Sequence, residues 1–277
     1  MILQDIEGVY DMRNNFVRNS VKVSVVITFV LMIVVNGLAN ILPINGISTG
    51  AVSDSYPNLF APAGITFTIW GIIYLLLGAY TIYQLGYFQD QVLEKKGKLL
   101  EKVGIIFSLS SLANTAWVFA WHYMNIPLSM LLMAVILGSL MYINRLIIKA
   151  ELDRKEKIFI SLPFSVYFGW ITVATIANAT IFLVSQGWDG FGLSDTFWTV
   201  IILLVGLLIA CVTILRNWDY AYGLVIIWAY LGILIKHTAI DGFNYSYFSV
   251  INILVFSVFV LVLVELYILF GKKLRIK

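Results

Sequence analysis

The chain has 277 residues, of which 61% are hydrophobic and only 12% are charged, and its mean hydropathy is +0.93. This composition excludes an ordinary soluble domain and predicts an integral membrane protein. The net charge of +3 is explained by loop asymmetry and attraction to anionic lipid, so membrane lipid is an expected partner and nucleic acid is not.

Apolar runs long enough to cross a bilayer recur along the chain. A spanning helix needs about 20 mainly apolar residues, and we predict an all-α, polytopic membrane bundle with eight such helices. The first 20 residues contain acidic side chains and no apolar core, so they are read as an arm and not as a cleavable signal. The seventh span is the weakest. The predicted spans are 21–42, 62–87, 103–122, 127–145, 158–184, 196–215, 220–236 and 247–270.

Basic residues alternate between the loops in a way that supports this count. Cytoplasmic loops retain Lys and Arg, and every basic residue except Lys236 falls on one side of the predicted spans. We therefore expect both termini and the loop 89–102 in the cytoplasm, with the loop 43–61 outside. We also expect a multi-pass protein of a prokaryotic cytoplasmic membrane.

Cysteine and histidine usage argues against a metal site. Cys211 is the single cysteine, so an intramolecular disulfide and a thiolate cluster are both excluded, and a small apolar filler is the favoured role. His122 and His237 lie at the outward ends of helices. A solvated or hydrogen-bonded surface role is favoured for both over metal or haem coordination.

Large aromatic residues lie deeper than interfacial anchoring requires. At 1.5 Å per residue, Trp70 lies about 12 Å inside the outer boundary, below the headgroup level where Trp and Tyr normally anchor. Trp170 lies near the middle of the fifth span. Trp121, at the interface, is the one residue of this group that fits an interfacial belt.

Spacings of three and four residues place these rings on single helix faces. Two of the three stripes add a carboxamide, which must find a partner inside the bilayer. Interhelical packing and a cavity for a planar ligand both remain open explanations, and Asn36 in the first span has the same two alternatives. The stripes are Phe67, Trp70 and Tyr74; Asn114, Trp117 and Trp121; and Trp170, Ala174 and Asn178.

Three of these motifs resemble the tryptophan-rich sensory protein family, also called translocator or peripheral-type benzodiazepine receptor proteins. Pro62, Trp70 and Tyr74 resemble its loop-to-second-helix signature, and Asn114 with Trp117 resembles its third-helix element. The stretch "VYFGWITVATIAN" is similar to its fifth-helix signature, with Tyr167 and Trp170 in register.

The resemblance covers about residues 20–185 and implies a domain division. We expect a cytoplasmic arm at 1–20, a five-helix translocator-like unit at 21–185, and three further helices with a basic tail at 186–277. The chain departs from the family pattern at Leu59, Ala61 and Val166, and the aromatic before Trp70 is displaced by one position.

The resemblance also implies a cavity beneath the loop 43–61, which would act as a lid. In the family, such a cavity holds tetrapyrroles such as protoporphyrin or haem as ligands, and in some members sterols. We expect no required cofactor, and we assign no catalytic or metal-binding residue. The residues implied to line it are Phe60, Pro62, Phe67, Trp70, Tyr74, Asn114, Trp117, Trp121, Tyr167, Trp170, Ala174 and Asn178.

Three function classes follow. A ligand-binding sensor or carrier for planar hydrophobic molecules is favoured by the stripes and the lid. A membrane transporter is suggested by eight spans, although no charged residue is placed at mid-membrane. A tetrapyrrole-degrading enzyme is the third class, although no nucleophile–base pair is visible. A homodimer stays open.

Overall fold

The computed structural model describes residues 17–42, 44–89 and 94–275, and for residues 94–95 and 272–275 it describes the helix alone. Most of the arm 1–20, Pro43, and part of the loop 89–102 therefore lie outside the described residues. The regular elements are helices, which confirms the all-α class. The long helices are α1 (Asn19–Ile41), α2 (Ile69–Gln84), α3 (Glu94–His122), α4 (Ile126–Ile148), α5 (Leu162–Ser185), α6 (Asp195–Asn217), α7 (Tyr220–Thr238) and α8 (Phe248–Arg275).

Eight described helical segments are long and apolar enough to span a bilayer, as predicted. Their mean hydropathy runs from 1.4 to 2.9, and the lowest value belongs to α7, the span that was weakest in the sequence. In α7, 56% of the scored residues are buried inside the protein, against 28% in α8. A helix surrounded by protein needs fewer lipid-compatible side chains, which explains its weak hydropathy signal.

Polar side chains at the helix starts explain several of the boundaries. Asn125, Ser194 and Asp219 each accept a hydrogen bond of 3.2 Å from the backbone N–H three residues later, at the first turns of α4, α6 and α7. Such caps satisfy backbone donors that a helix start leaves free, and each contributes about 1 kcal/mol. They fix the residues at which α4, α6 and α7 begin.

The fifth span begins with a short capped turn and a π-helical segment before the α-helix. A capping box joins Asp153 and Glu156 in the turn Arg154–Glu156, and a π-helical segment, Lys157–Ser161, leads into α5. Pro163 lies in the first turn of α5, where it lacks the N–H that an α-helix would donate to the preceding turn. The wider π turn accommodates that missing bond.

The first five helices form a closed ring. α1 packs on α3, α3 on α4, α4 on α5, α5 on α2, and α2 back on α1. α7 packs on the outer side of α5 and also meets the Gly64–Thr68 segment before α2, while α8 joins α7 to α6. The three further helices therefore stand against one side of the ring, next to the start of α2.

The starts of α3 and of the second span differ from the prediction in ways that have a physical reason. α3 begins nine residues earlier than expected, at Glu94, because its polar first turns lie beyond the apolar run. Ion pairs hold these turns, with Lys96 Nζ 2.6 Å from a Glu156 carboxylate oxygen. The second span begins with a 3₁₀ segment, Gly64–Thr68, and becomes α-helical only at Ile69.

Candidate functional site

A small apolar cavity lies inside the ring, where the loop between α1 and α2 covers its end. The cavity volume is about 60 Å³. The loop, the start of the second span, and α3, α4 and α5 all contribute side chains. The lining residues are Thr49, Ser53, Phe60, Pro62, Phe67, Trp70, Trp117, Trp121, Met133, Trp170, Val173, Ala174, Ala177, Asn178 and Ile181.

Aromatic rings form much of the wall. Trp70 and Trp170 meet edge to face with ring centroids 6.1 Å apart, and Phe67 meets Trp170 in the same way at 5.9 Å. On α3, Trp117 stacks on Trp121 at 5.4 Å. Aromatic pairs of these geometries contribute about 0.5–1.5 kcal/mol beyond their buried area. The same rings therefore pack the bundle and line the cavity.

Two fully buried indole N–H groups in this wall have no hydrogen-bond partner among the described residues. They belong to Trp117 and Trp170, whose side chains are 6% and 3% exposed. The Trp121 indole differs, because it donates to the backbone oxygen of Thr49 at 3.0 Å. An unpaired buried donor costs about 1–3 kcal/mol, so the wall has two donors that an acceptor would satisfy.

Three of the predicted site residues lie behind the wall. Tyr74 stacks on Trp70 at 5.5 Å, and Tyr167 meets Trp70 edge to face at 6.1 Å. Asn114 donates to the Tyr167 hydroxyl at 3.3 Å and accepts from Asn36 of α1 at 2.8 Å. Asn36 thus makes an interhelical contact. This layer supports the Trp70 ring and does not line the cavity.

The other nine predicted residues all line the cavity: Phe60, Pro62, Phe67, Trp70, Trp117, Trp121, Trp170, Ala174 and Asn178. The interfacial-belt interpretation of Trp121 is wrong, because that ring is 5% exposed and bonded to the loop. Among the lining residues that the sequence did not single out, Ala177 and Ile181 continue the Ala174 stripe at helical spacing. Met133, by contrast, belongs to no spacing pattern that would have indicated a lining position.

The one carboxamide of the wall is already paired. Asn178 of α5 and the hydroxyl of Ser129 on α4 lie 3.2 Å apart, with Asn178 Nδ2 donating to Ser129 Oγ or Ser129 Oγ donating to Asn178 Oδ1. The contact ties α4 to α5 beside the cavity. The lining carries no charged side chain, and the described residues hold no His, Cys, Asp and Glu group suited to a metal ion.

The first half of the covering loop is fixed by His122, at the end of α3. Its Nδ1 lies 3.1 Å from the oxygen of Ile44, which can only accept, so Nδ1 carries the proton. In the neutral ring, Nε2 then accepts from the hydroxyl of Thr49 at 3.0 Å. The side chain of Asn45 donates to the His122 oxygen at 3.0 Å. These bonds hold the short helix Thr49–Asp54 against α3.

The second half of the loop is fixed by α7. His237 Nε2 donates to the oxygen of Leu59 at 2.9 Å, and the indole of Trp228 donates to the oxygen of Thr66 at 3.0 Å. Between them, the backbone N–H of Ala63 donates to the Gly232 oxygen at 3.0 Å. A Cβ on Gly232 would overlap the Thr66 side chain, so glycine is what lets the two backbones meet.

Both histidines are fully buried, which corrects the expectation of a surface position. Each is hydrogen-bonded, but its partner belongs to the covering loop and not to solvent. The sequence could not distinguish the two positions, because a histidine at a helix end is compatible with a solvent-exposed side chain and with a buried one. The loop is therefore attached on two sides, to α3 of the ring and to α7 outside it.

Comparison with known proteins gives one match. A family model described as TSPO-like protein matches residues 22–268. The chain belongs to the TSPO-like protein family. The match confirms the resemblance found in the motifs, and it runs through all eight described long helices. Comparison with curated proteins and with solved structures gives no match. The division of this TSPO-like protein at residue 185 stays a prediction.

Proposed function

We propose that this TSPO-like protein binds a planar, mainly apolar molecule with hydrogen-bond acceptors, of the tetrapyrrole class, in the cavity beneath the loop. The observation that carries the proposal is the pair of unpartnered indole donors of Trp117 and Trp170 in an otherwise apolar wall. Ligand sites combine this kind of apolar lining with a few convergent polar groups. A carboxylate or carbonyl oxygen of the ligand would satisfy the donors.

The shape of the wall supports a flat ligand. Four indoles, those of Trp70, Trp117, Trp121 and Trp170, surround one space, and aromatic faces favour offset stacking on planar rings. Small side chains at Ala174 and Ala177 leave room between them. The family resemblance favours porphyrin or haem over other flat molecules.

The cavity must enlarge to receive such a molecule. Sites for drug-sized ligands enclose about 300–1,000 Å³, whereas this cavity holds about 60 Å³. The ring helices pack along their lengths, so the covering loop is the part that can move. We therefore interpret this structure as a closed state, in which binding requires Phe60 and Pro62 to swing away from the rings.

The cavity faces the side of the membrane that carries fewer basic residues. Arg145, Lys149 and Arg216 lie at the opposite helix ends, whereas Lys236 is near the loop and lies 3.7 Å from Asp54. The positive-inside rule then supports cytoplasmic termini and a cavity that opens to the outside.

Filling the cavity provides a direct test. Ala177→Phe places a ring in the space, while Ala179→Phe adds the same ring to the same helix at a position that does not line it. We expect protoporphyrin to bind the purified wild-type chain and Ala179→Phe, as followed by its absorbance, and to bind Ala177→Phe at least tenfold more weakly. Equal affinities in the two variants would refute this site.

Two further measurements separate the alternative functions. Loss of bound porphyrin absorbance under illumination, with formation of a new product, would indicate a degrading enzyme. Porphyrin flux into sealed vesicles containing the protein would indicate a transporter. A sensor or carrier is supported if porphyrin binds stoichiometrically, remains chemically intact, and stays on the side of the vesicle membrane to which it was added.

A further inference from the structure

A second concave site lies at the opposite membrane boundary, between the ends of α4 and α6. Its volume is about 440 Å³, and Phe168 of α5 forms part of its wall. α4 and α6 do not pack along their lengths. They are joined at this end by a 3.0 Å hydrogen bond from Asn217 Nδ2 to Asn144 Oδ1. We call this space the α4–α6 groove.

Three cationic side chains line the α4–α6 groove: Arg145, Lys149 and Arg216. All three are exposed, and within the described part of the chain none makes an ion pair. The nearest acidic residues in the sequence, Glu151 and Asp219, do not line it. Positive-inside topology explains why the cations lie on this side, but not why three of them converge on one groove.

The rest of the groove is suited to hydrocarbon. Met141, Ile148 and Val212 line it and are about half exposed, and they lie within the membrane-spanning helices. Ile148 lies between Arg145 and Lys149 along α4, whereas Met141 on α4 and Val212 on α6 lie nearer the membrane centre than the three cations. That order matches a phospholipid, whose acyl chains lie deeper than its phosphate.

We propose that the α4–α6 groove binds one anionic glycerophospholipid of the adjoining leaflet, with the phosphate between Arg145, Lys149 and Arg216 and an acyl chain along Val212 and Phe168. Basic pockets between spanning helices are suited to anionic headgroups, and arginine can bind a phosphate through two N–H groups at once. This site is independent of the cavity beneath the loop.

The test compares lipid binding by the full chain and three variants in detergent. Arg145→Gln with Arg216→Gln removes two groove charges. Val212→Trp fills the apolar part without changing charge. Lys102→Gln with Arg154→Gln is the matched control, since it removes two exposed charges that do not line the groove. Native mass spectrometry counts retained phosphatidylglycerol, and thermal unfolding reports binding and the integrity of each variant.

We expect the wild type and the control pair to retain one phosphatidylglycerol and to prefer it over phosphatidylcholine. Each surface charge contributes about fivefold, so the groove pair should bind phosphatidylglycerol about 25-fold more weakly, and Val212→Trp should also lose it. The proposal is overturned if the control pair loses as much affinity as the groove pair, or if Val212→Trp binds normally. It is also overturned if inorganic phosphate stabilises the protein equally, or if a second copy covers the groove in lipid-free protein.

Discussion

Trp170→Phe separates the two roles of the cavity wall, packing and ligand recognition. The substitution keeps an aromatic ring against Phe67 and Trp70 but removes the indole N–H. Near-conservative apolar replacements in a packed core usually cost less than about 1.5 kcal/mol. Here the indole donor is buried without a partner, and such a donor costs about 1–3 kcal/mol. The two effects oppose each other, so the net change should lie between about 0.5 kcal/mol of destabilisation and about 3 kcal/mol of stabilisation.

Ligand affinity should respond quite differently. A hydrogen bond to a charged acceptor contributes about 1.5–3 kcal/mol, so loss of the indole donor should weaken binding of a porphyrin carboxylate about 10- to 150-fold. A neutral carbonyl acceptor would give only about a 2- to 12-fold loss. The size of the effect therefore identifies the ligand group that meets Trp170.

Trp198→Phe is the matched control. The Trp198 indole donates to the oxygen of Gly190 at 2.8 Å, and the residue lies on α6 and does not line the cavity. This variant should lose about 1 kcal/mol of stability, because a satisfied bond is broken, and should bind porphyrin normally. Thermal unfolding and absorbance titration of both variants in detergent provide the comparison. If Trp170→Phe is strongly destabilised and binds like the wild type, Trp170 is a packing residue only.

The remaining predictions concern the loop and the topology. Gly232→Ala should destabilise the protein by at least about 1 kcal/mol in thermal unfolding, because the added methyl meets the loop. Gly138→Ala, where nothing lies within 4 Å of the added methyl, should be neutral or stabilising by up to about 1 kcal/mol, and equal effects would contradict the close approach. His237→Phe should speed hydrogen exchange in residues 57–63, and unchanged exchange would show that this bond does not hold the loop. In intact cells, a Ser55→Cys variant should react with a membrane-impermeant thiol reagent, and a Glu151→Cys variant should not. The reverse labelling pattern would mean that the protein has the opposite orientation in the membrane.

The helices could be predicted from sequence because hydropathy reports directly on contact with lipid. The same reasoning explains the error at α3, whose first turns are helical but polar and are held by Lys96 and Glu156. Hydropathy detects burial in the membrane, and it does not detect a helix that continues into water. The 3₁₀ start of the second span was missed for a related reason, since apolar side chains are equally compatible with both helix types.

Much of the cavity wall was also predictable, because helical spacing places Trp170, Ala174 and Asn178 on one face. The layer behind it was not separated from the wall. Tyr74 and Asn114 share helix faces with lining residues, and only the rotation of each helix within the ring decides which of them reaches the cavity. The attachment of the loop to α7 joins residues far apart in the sequence, 178 positions in the pair Leu59 and His237, and no local pattern indicates it.

The α7 contacts bear on ligand affinity as well as on stability. Opening the loop on this side breaks three hydrogen bonds, those of His237, Trp228 and Ala63, at about 0.5–1.5 kcal/mol each. A cost of about 1.5–4.5 kcal/mol leaves between about 0.05% and 7% of the molecules open, and the apparent affinity is the intrinsic affinity multiplied by that open fraction. His237→Phe keeps a ring beside Phe243 and Tyr247 but removes one of these bonds. It should therefore lower stability and yet raise apparent porphyrin affinity about 2- to 12-fold. A variant that loses stability with unchanged or weaker binding would mean that the ligand enters without displacing this side of the loop, leaving the Thr49 side, held by His122, as the part that opens.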